Sequence, residues 1–364
     1  MIHWPLTDRW LQCYPDVPEH ISLPWDAADE YLYQTADPTL TTLAFNDRHG
    51  ALACVIPQLI SVCDSASAIK ARELNLKANY PDREANEAPV SADQVDFTSI
   101  QQVLIKIPKN LDLLKSWLST CQKNLPDTVP IYLAGMAKHI PVPWLNFLEK
   151  NSREYLQHRI VKKARLISLR APTIPAQAEH GYSHQGLTLK ALPGVFSANK
   201  LDIGSRALLP HLSLIDGGTV CDLGCGNGLL GLLIKSQKPE SSLILTDDSY
   251  IAVTTARHNA KRNQLEIDVR HGNSLESVNE ALDWVVCNPP YHDGHKELTN
   301  IAMAMFRDSQ RQLKPTGKLL VVANRHLPYQ AELKRLFQSV GIIEQTPKFT
   351  ISLCSQPKPC NSPQ

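Results

Sequence analysis

The residues best suited to chemistry stand in the second half of the chain, in Asp222-Leu223-Gly224-Cys225-Gly226-Asn227-Gly228. Glycines at alternate positions let a backbone turn sharply and let a ligand approach without meeting a Cβ. A bare G-x-G-x-G pattern also fits dinucleotide enzymes. Here, however, a carboxylate stands two positions before the first glycine, and the third glycine is not spaced for a pyrophosphate. A phosphate would want helix N–H groups and no nearby carboxylate. The loop therefore suits a cofactor with a cationic amino-acid end and no phosphate, which describes S-adenosylmethionine. Further on, Asp247-Asp248 closes the next strand-like run, where a carboxylate can accept both hydroxyls of a ribose. Strand register favours Asp247 for this and an internal repeat between the two halves favours Asp248.

The second constellation is Asn288-Pro289-Pro290-Tyr291. Consecutive prolines at a strand end fix φ and remove two donors, which makes a rigid extended turn. Such a turn holds the Asn288 side chain and the Pro289 carbonyl in place as acceptors. An exocyclic amine has two N–H groups for them to hold, and its lone pair would then be turned toward a sulfonium methyl. Tyr291 offers a face on which a planar group can stack. Alone, the motif would read as a Pro-Pro turn with an Asn cap. Following the glycine loop, it reads as catalytic. His292, Asp293 and His295 do not make a metal site, since no further acidic partner with consistent geometry accompanies them.

The elements that must position these residues alternate. Thr219–Leu223, Leu243–Thr246, Asp268–Arg270, Asp283–Cys287 and Lys318–Ala323 read as strands; Leu229–Gln237, Ile251–Asn263 and Ile301–Leu313 have helical spacing. Alternation implies right-handed βαβ units and a doubly wound α/β sheet, with ligands at the carboxyl ends of the strands. A weak internal repeat extends this to the first half. Arg48–Ile56 resembles Gly226–Ile234, pairing Gly50 with Gly228, and Asp64–Asn79 resembles Asp248–Asn263, pairing Asn75 with Asn259 and Asn79 with Asn263. Residues 1–175 and 187–354 are thus expected to be two α/β domains of common ancestry. Ala171–Gly186 reads as a linker, Tyr80–Asp96 as a surface loop, and 355–364 as a disordered tail.

Length and composition agree. A chain of 364 residues with 43% hydrophobic and 20% charged residues is globular and fits about two domains. It has no apolar run of the ~18 residues a bilayer-spanning helix needs, and its first residues show no basic n-region followed by an apolar h-region, so secretion is not expected. The nine cysteines show no C-x-x-C spacing, which points to reduced thiols, so a soluble cytoplasmic protein is expected. A net charge of +1 excludes a nucleic-acid binder working by bulk charge. A local excess stands at Lys150, Arg153, Arg159, Lys162, Lys163, Arg165 and Arg170, read as a solvated helix face unless other evidence points to RNA.

The second half resembles class I S-adenosylmethionine-dependent methyltransferases of the group that methylates planar amines. With Gly194–Leu212 and Val321–Tyr329 added, it resembles the bacterial rRNA guanine-N2 methyltransferases, which have tandem methyltransferase-like domains, the first degenerate. In the first half, Asp26–Gln34, Leu104–Leu114, Leu133–Ile140 and Lys162–Leu169 are similar to the large-subunit branch. The resemblance implies methyl transfer to the N2 amine of a guanine in 23S rRNA, with no membrane, metal or obligate protein partner. It implies cofactor contacts at Asp222, Gly224, Gly226, Gly228, Asp247 and, for the adenine, Asn273, with catalysis at Asn288, Pro289, Pro290 and Tyr291. The family often has Phe where Tyr291 stands; tyrosine keeps the stacking face, but leaves amine methyltransferases acting on adenine or protein glutamine less firmly excluded. Alternatives are a small-subunit (16S) enzyme and a non-catalytic rRNA assembly factor. In the first half a single glycine stands in Phe45-Asn46-Asp47-Arg48-His49-Gly50, and Ile107-Pro108-Lys109-Asn110 is expected opposite the Asn-Pro-Pro-Tyr tetrad, so neither donor nor amine would be held there.

Overall fold

The computed structural model describes residues 1–17, 20, 22–82, 88–290 and 296–359, backbone alone at 296–298. The chain divides into two compact units, Met1–Ala178 and Glu179–Gln364. In the first, a hairpin of β1 (Ile2–Trp4) and β2 (Arg9–Leu11) precedes α1 (Ala27–Thr35), β3 (Thr42–Phe45), β4 (Leu59–Val62) and α2 (Ala66–Asn79). Then come β5 (Gln102–Lys106), α3 (Leu111–Asn124), β6 (Ile131–Met136), α4 (Val142–Lys150), β7 (Ser152–Gln157) and β8 (Ala164–Pro172). The sheet runs β4-β3-β5-β6-β8-β7, parallel through β6 and closed by two antiparallel strands.

The second unit opens on the hairpin β9 (His180–His184) and β10 (Leu187–Ala191), then α5 (Ile203–Leu208), β11 (Thr219–Leu223), α6 (Leu229–Gln237), β12 (Ser242–Asp247) and α7 (Tyr250–Arg262). It continues with β13 (Asp268–His271), β14 (Leu282–Cys287), α8 (Lys296–Gln312), β15 (Leu313–Asn324), α9 (Tyr329–Leu336), β16 (Phe337–Gln345) and β17 (Phe349–Pro357). The sheet order is β13-β12-β11-β14-β15-β17-β16. Alternation along each strand feeds two cores. Val220, Trp284, Val286, Leu320 and Val322 pack on one face, and Cys221, Leu223, Val285, Cys287, Leu319 and Val321 on the other. This is the expected doubly wound α/β fold, with the strand order reversing between β11 and β14.

Both units follow one plan, although among the described residues the first shows no counterpart of β13. The paired asparagines show why the repeat persists. Asn259 Nδ2 donates to the carbonyls of Lys190 (2.8 Å) and Asn227 (2.9 Å), and its Oδ1 accepts from Lys190 N (2.9 Å). Asn75 does the same with Gln12 O (3.0 Å), His49 O (2.8 Å) and Gln12 N (2.9 Å). Asn263 and Asn79 likewise exchange paired bonds with the backbones of Thr188 and Trp10. Each pair sews a helix to the hairpin by satisfying backbone groups that would otherwise be stranded. Register fixes the rest. Leu223 pairs with Thr246 and Cys287 as Phe45 pairs with Val62 and Ile105. Lys106 therefore takes the place of Asn288, and the tetrad's counterpart is Lys106-Ile107-Pro108-Lys109, one residue earlier than the sequence suggested.

Other expectations are corrected. The basic segment is not a helix face beyond Lys150: it forms β7, β8 and the hairpin turn between them, where Lys162 and Lys163 both have positive φ, 47° and 68°. The presumed linker contains β9. Ser355–Pro357, assigned to a disordered tail, extend β17 because Ser355 pairs with Lys318 and Pro357 with Phe337. Residues 360–364 and part of the Tyr80–Asp96 loop lie outside the described residues.

Candidate active site

The glycine loop joins the end of β11 to α6 and hangs from the neighbouring strand, with Gly224 and Cys225 donating their N–H groups to Thr246 O at 2.9 and 3.0 Å. Gly224, Gly226 and Gly228 all have positive φ, 76°, 54° and 85°. At Gly226 a Cβ would meet no atom of the described residues within 4 Å, so among them the backbone stands bare toward the cleft it lines. Phe196, Ser205, Asp222, Gly224 and Asn288 share that lining.

Asp222 is 2% exposed. Its Oδ2 accepts the Gly231 N–H at 2.9 Å, tying strand to helix. Burial, reinforced by the charge of Asp247 and opposed by that hydrogen bond, pushes its carboxyl up to about 7. Asp247, at the end of β12, accepts from Gly226 N through Oδ2 and from Ser249 N through Oδ1, both at 2.9 Å. Asp248 instead offers its backbone carbonyl to His271 Nε2 at 2.9 Å. Gly272 N reaches Asp247 O at 3.1 Å, which brings Asn273 to the same edge; its Nδ2 donates to Glu276 at 3.0 Å. Gly228, Asp247 and Asn273 are not among the described residues that line the cleft.

Asn288 follows the last residue of β14. Both amide hydrogens are held: Nδ2 donates to Asp202 Oδ2 at 2.8 Å and to Ser205 Oγ at 3.1 Å. A carboxylate can only accept, so this fixes which end of the amide is nitrogen. Pro289 is buried and Pro290 exposed. Tyr291, with His292, Asp293 and His295, lies outside the described residues. Among the described residues, no group of three or more His, Cys, Asp or Glu could hold a metal ion, and no helix is long and apolar enough to cross a membrane.

Residues 186–352 match the Methyltransferase small domain family and residues 3–173 the RLMG N-terminal domain family. Ribosomal RNA large subunit methyltransferase G of Alcanivorax borkumensis is 33% identical over 99% of this chain and 98% of that protein. Its namesake from Stutzerimonas stutzeri is 36% identical over 93% and 94%. The chain belongs to the ribosomal RNA large subunit methyltransferase G family. It is a methyltransferase. Among solved structures, the 16S rRNA N2 methyltransferase RsmC of T. thermophilus, determined with AdoMet and guanosine, superposes with a TM-score of 0.77. It covers 91% of this chain and 92% of its own, and at 21% identity the likeness speaks for the fold.

The donor set fits S-adenosylmethionine, the methyl donor expected of such an enzyme. A buried carboxylate, a bare glycine backbone and a strand-end aspartate stand along one edge of the sheet. The first unit has lost each of these in register. Ala44 replaces Asp222, Asn46 replaces Gly224, Arg48 replaces Gly226, Cys63 replaces Asp247 and Lys106 replaces Asn288. What survives there is structural. Gly50 keeps a positive φ of 69°, and Asp47 accepts from Ala53 N at 2.9 Å, as Asp222 does from Gly231.

Sequence reasoning missed Asp202, Ser205 and Asn227. Asn227 Nδ2 donates to the Tyr182 hydroxyl at 3.1 Å, and so braces the glycine loop against the hairpin. Asp202 and Ser205 fall within the Gly194–Leu212 segment and show the Asp-x-x-Ser spacing of a capped helix, but neither signal says anything of a partner on a distant strand.

Proposed function

We propose that this enzyme transfers a methyl group from S-adenosylmethionine to the N2 amine of one guanine in 23S rRNA. The observation that carries the reading is Asn288, whose Oδ1 accepts no hydrogen bond among the described residues although both its amide hydrogens are engaged at the cleft edge. The relatives bear the name of ribosomal RNA large subunit methyltransferases, which supports the substrate.

S-adenosylmethionine supplies an electrophilic methyl group. Asp222 offers a carboxylate to the cationic amino-acid end, Gly224, Gly226 and Gly228 give the backbone close approach, Asp247 accepts from the ribose, and Asn273 meets the adenine. Asn288 Oδ1 and the Pro289 carbonyl hold the two N–H groups of the guanine amine, with Pro290 stiffening the turn and Tyr291 stacking on the base. Orientation of the amine supplies most of the acceleration. No base is required, because the methylated amine becomes acidic and loses its proton to water. The guanine must leave its stack, which costs least in a loop or bulge. The first unit, without these groups, positions RNA. The reading calls for no metal and no protein partner, and the substrate places the enzyme in the cytoplasm. The deciding experiment is mass mapping of methylated guanines in rRNA from cells with and without the active protein. Loss of one N2-methylguanine from 23S rRNA is the expected result; an unchanged 23S pattern would overturn it.

A further inference from the structure

We propose that Asp202, assisted by Ser205, is a positioning residue that holds both amide donors of Asn288 so that only Oδ1 is left for the acceptor amine. The inference rests on the reading of Asn288 as the residue that holds the amine.

An unrestrained asparagine amide can flip, presenting two donors where an acceptor is needed. At the end of β14 the flip is barred. Asp202 Oδ2 lies 2.8 Å and Ser205 Oγ 3.1 Å from Nδ2, and the flipped amide would set its oxygen against a carboxylate. The same carboxylate oxygen caps α5 by accepting Ser205 N at 2.8 Å, so its position is fixed by the helix and not by a free rotamer. The residue between them matters too. A Cβ at Gly204 would lie 2.7 Å from Asn288 Oδ1, so any side chain there would displace or cover the acceptor. One helical turn thus grips the donors and leaves room for the oxygen. A carboxylate accepting the amide N–H also polarises the amide, making Oδ1 a stronger acceptor.

The first unit contains the same grip with its chemistry gone. Asp26 caps α1, as Asp202 caps α5, and Asp29 stands at the position of Ser205. Lys106, in the place of Asn288, lies 3.1 Å from Asp26 and 2.6 Å from Asp29. A lysine has no acceptor to present, so the first unit keeps a helix-to-strand staple and nothing more. The second unit's version adds an oriented acceptor, and the two roles separate by experiment.

In Asp202→Ser the hydroxyl still caps the helix, since Ser and Asp are about equally good caps, but it is too short to hold Asn288. Single-turnover methylation of unmodified 23S rRNA transcript with labelled S-adenosylmethionine should slow about 10²-fold, the cost of a small misplacement, with the cofactor's Kd and the melting temperature unchanged. Asp202→Asn, whose carbonyl oxygen can still accept, should recover most of the rate. Asn288→Ala should be slow by itself, and adding Asp202→Ser to it should slow it no further, because the second residue acts only through the first. Additive losses, or normal turnover in Asp202→Ser while Asn288→Ala is inactive, would overturn the positioning role. Full turnover in Asn288→Ala would instead remove the reading of the amine site. Should Asp202→Ser melt early, Ser205→Ala, which removes one acceptor and no cap, carries the same test.

Discussion

Asn288 and Asp202 stand 86 residues apart and share a 2.8 Å hydrogen bond from amide Nδ2 to carboxylate Oδ2. The bond gives the Asn288 amide one orientation at the edge of the cleft, and in the proposed reading Asn288 holds the amine while other residues hold the methyl donor.

The separation has a direct consequence for Asn288→Ala. Loss of an oriented polar group acting on the reacting centre typically costs ~10²–10³-fold in turnover. The variant should therefore lose methylation to that extent while binding S-adenosylmethionine with nearly the wild-type Kd in calorimetric titration. A variant with weakened cofactor binding and normal turnover at saturating donor would show that Asn288 has been given the wrong partner.

Cofactor binding should depend on pH through Asp222. Its carboxyl is pushed up to about 7, so in the free enzyme it is largely protonated below that value. A cationic partner favours the ionised form, so binding expels a proton below pH 7 and strengthens as pH rises through it. The Kd should be roughly tenfold weaker at pH 6 than at the plateau above pH 7. Asp222→Asn, which can still accept from Gly231 N, should bind weakly with a flat profile. Calorimetry in buffers of different ionisation heat counts the proton. A wild-type affinity independent of pH between 6 and 8 would mean that Asp222 does not face the cationic end.

Much of this was legible because local chemistry demanded it. Leu229–Gln237 forms α6 and Asp283–Cys287 falls in β14, since continuous apolar runs between Gly-rich turns leave few alternatives to a buried parallel sheet. The repeat could be read from Asn75 and Asn259 because each must satisfy the same stranded backbone groups. The basic segment misled because charges hid the two faces of β8, with Ala164 and Leu166 in one core and Ile167 and Leu169 in the other. The edge strand β16 is exposed along nearly its whole length and carries no alternation to detect. The Asp202–Asn288 bond was illegible for another reason. It joins a helix cap to a strand end, and only the folded register brings them together.

Two neighbouring glycines should fail in different ways. At Gly226 a Cβ meets no atom of the described residues within 4 Å, so Gly226→Ala should fold with only the ~1–2 kcal/mol strain of a non-glycine residue at φ 54°. Its methyl group projects from backbone that lines the cleft, so cofactor affinity should fall about tenfold or more, a loss worth ~1.4 kcal/mol per decade. At Gly228 a Cβ would lie 2.7 Å from Leu232 and 3.2 Å from Ala256, so Gly228→Ala should lower the melting temperature first. Thermal melting and calorimetry on the full chain distinguish them. The wild type should titrate with one cofactor per chain, because Arg48 and Cys63 stand where the first unit would need glycine and aspartate. A second site would contradict the register that places them there.

The last test concerns RNA. Arg153 pairs with Asp127, Arg170 with Glu154 and Lys162 with Glu30, so much of the basic segment is already neutralised. Lys163 is exposed, beside Lys162 at the tip of a turn whose ends, Val161 and Ala164, exchange hydrogen bonds of 3.0 and 2.8 Å. Both lysines hold left-handed backbone, where asparagine and glycine are the favoured pair. In the proposed reading, in which the first unit positions RNA, Lys163 is the candidate in this turn for meeting a phosphate. Removing one lysine–phosphate ion pair should reduce the slope of log affinity against log salt by ~1. Lys163→Glu should therefore flatten the salt dependence of 23S rRNA binding by about that much, with affinity for S-adenosylmethionine unchanged. Lys162→Glu is the less clean variant, because it sets two carboxylates against each other at Glu30 and strains the attachment of α1. Melting curves for both variants come first. If Lys163→Glu folds normally and binds rRNA with the wild-type slope, the turn is not where the RNA backbone is held.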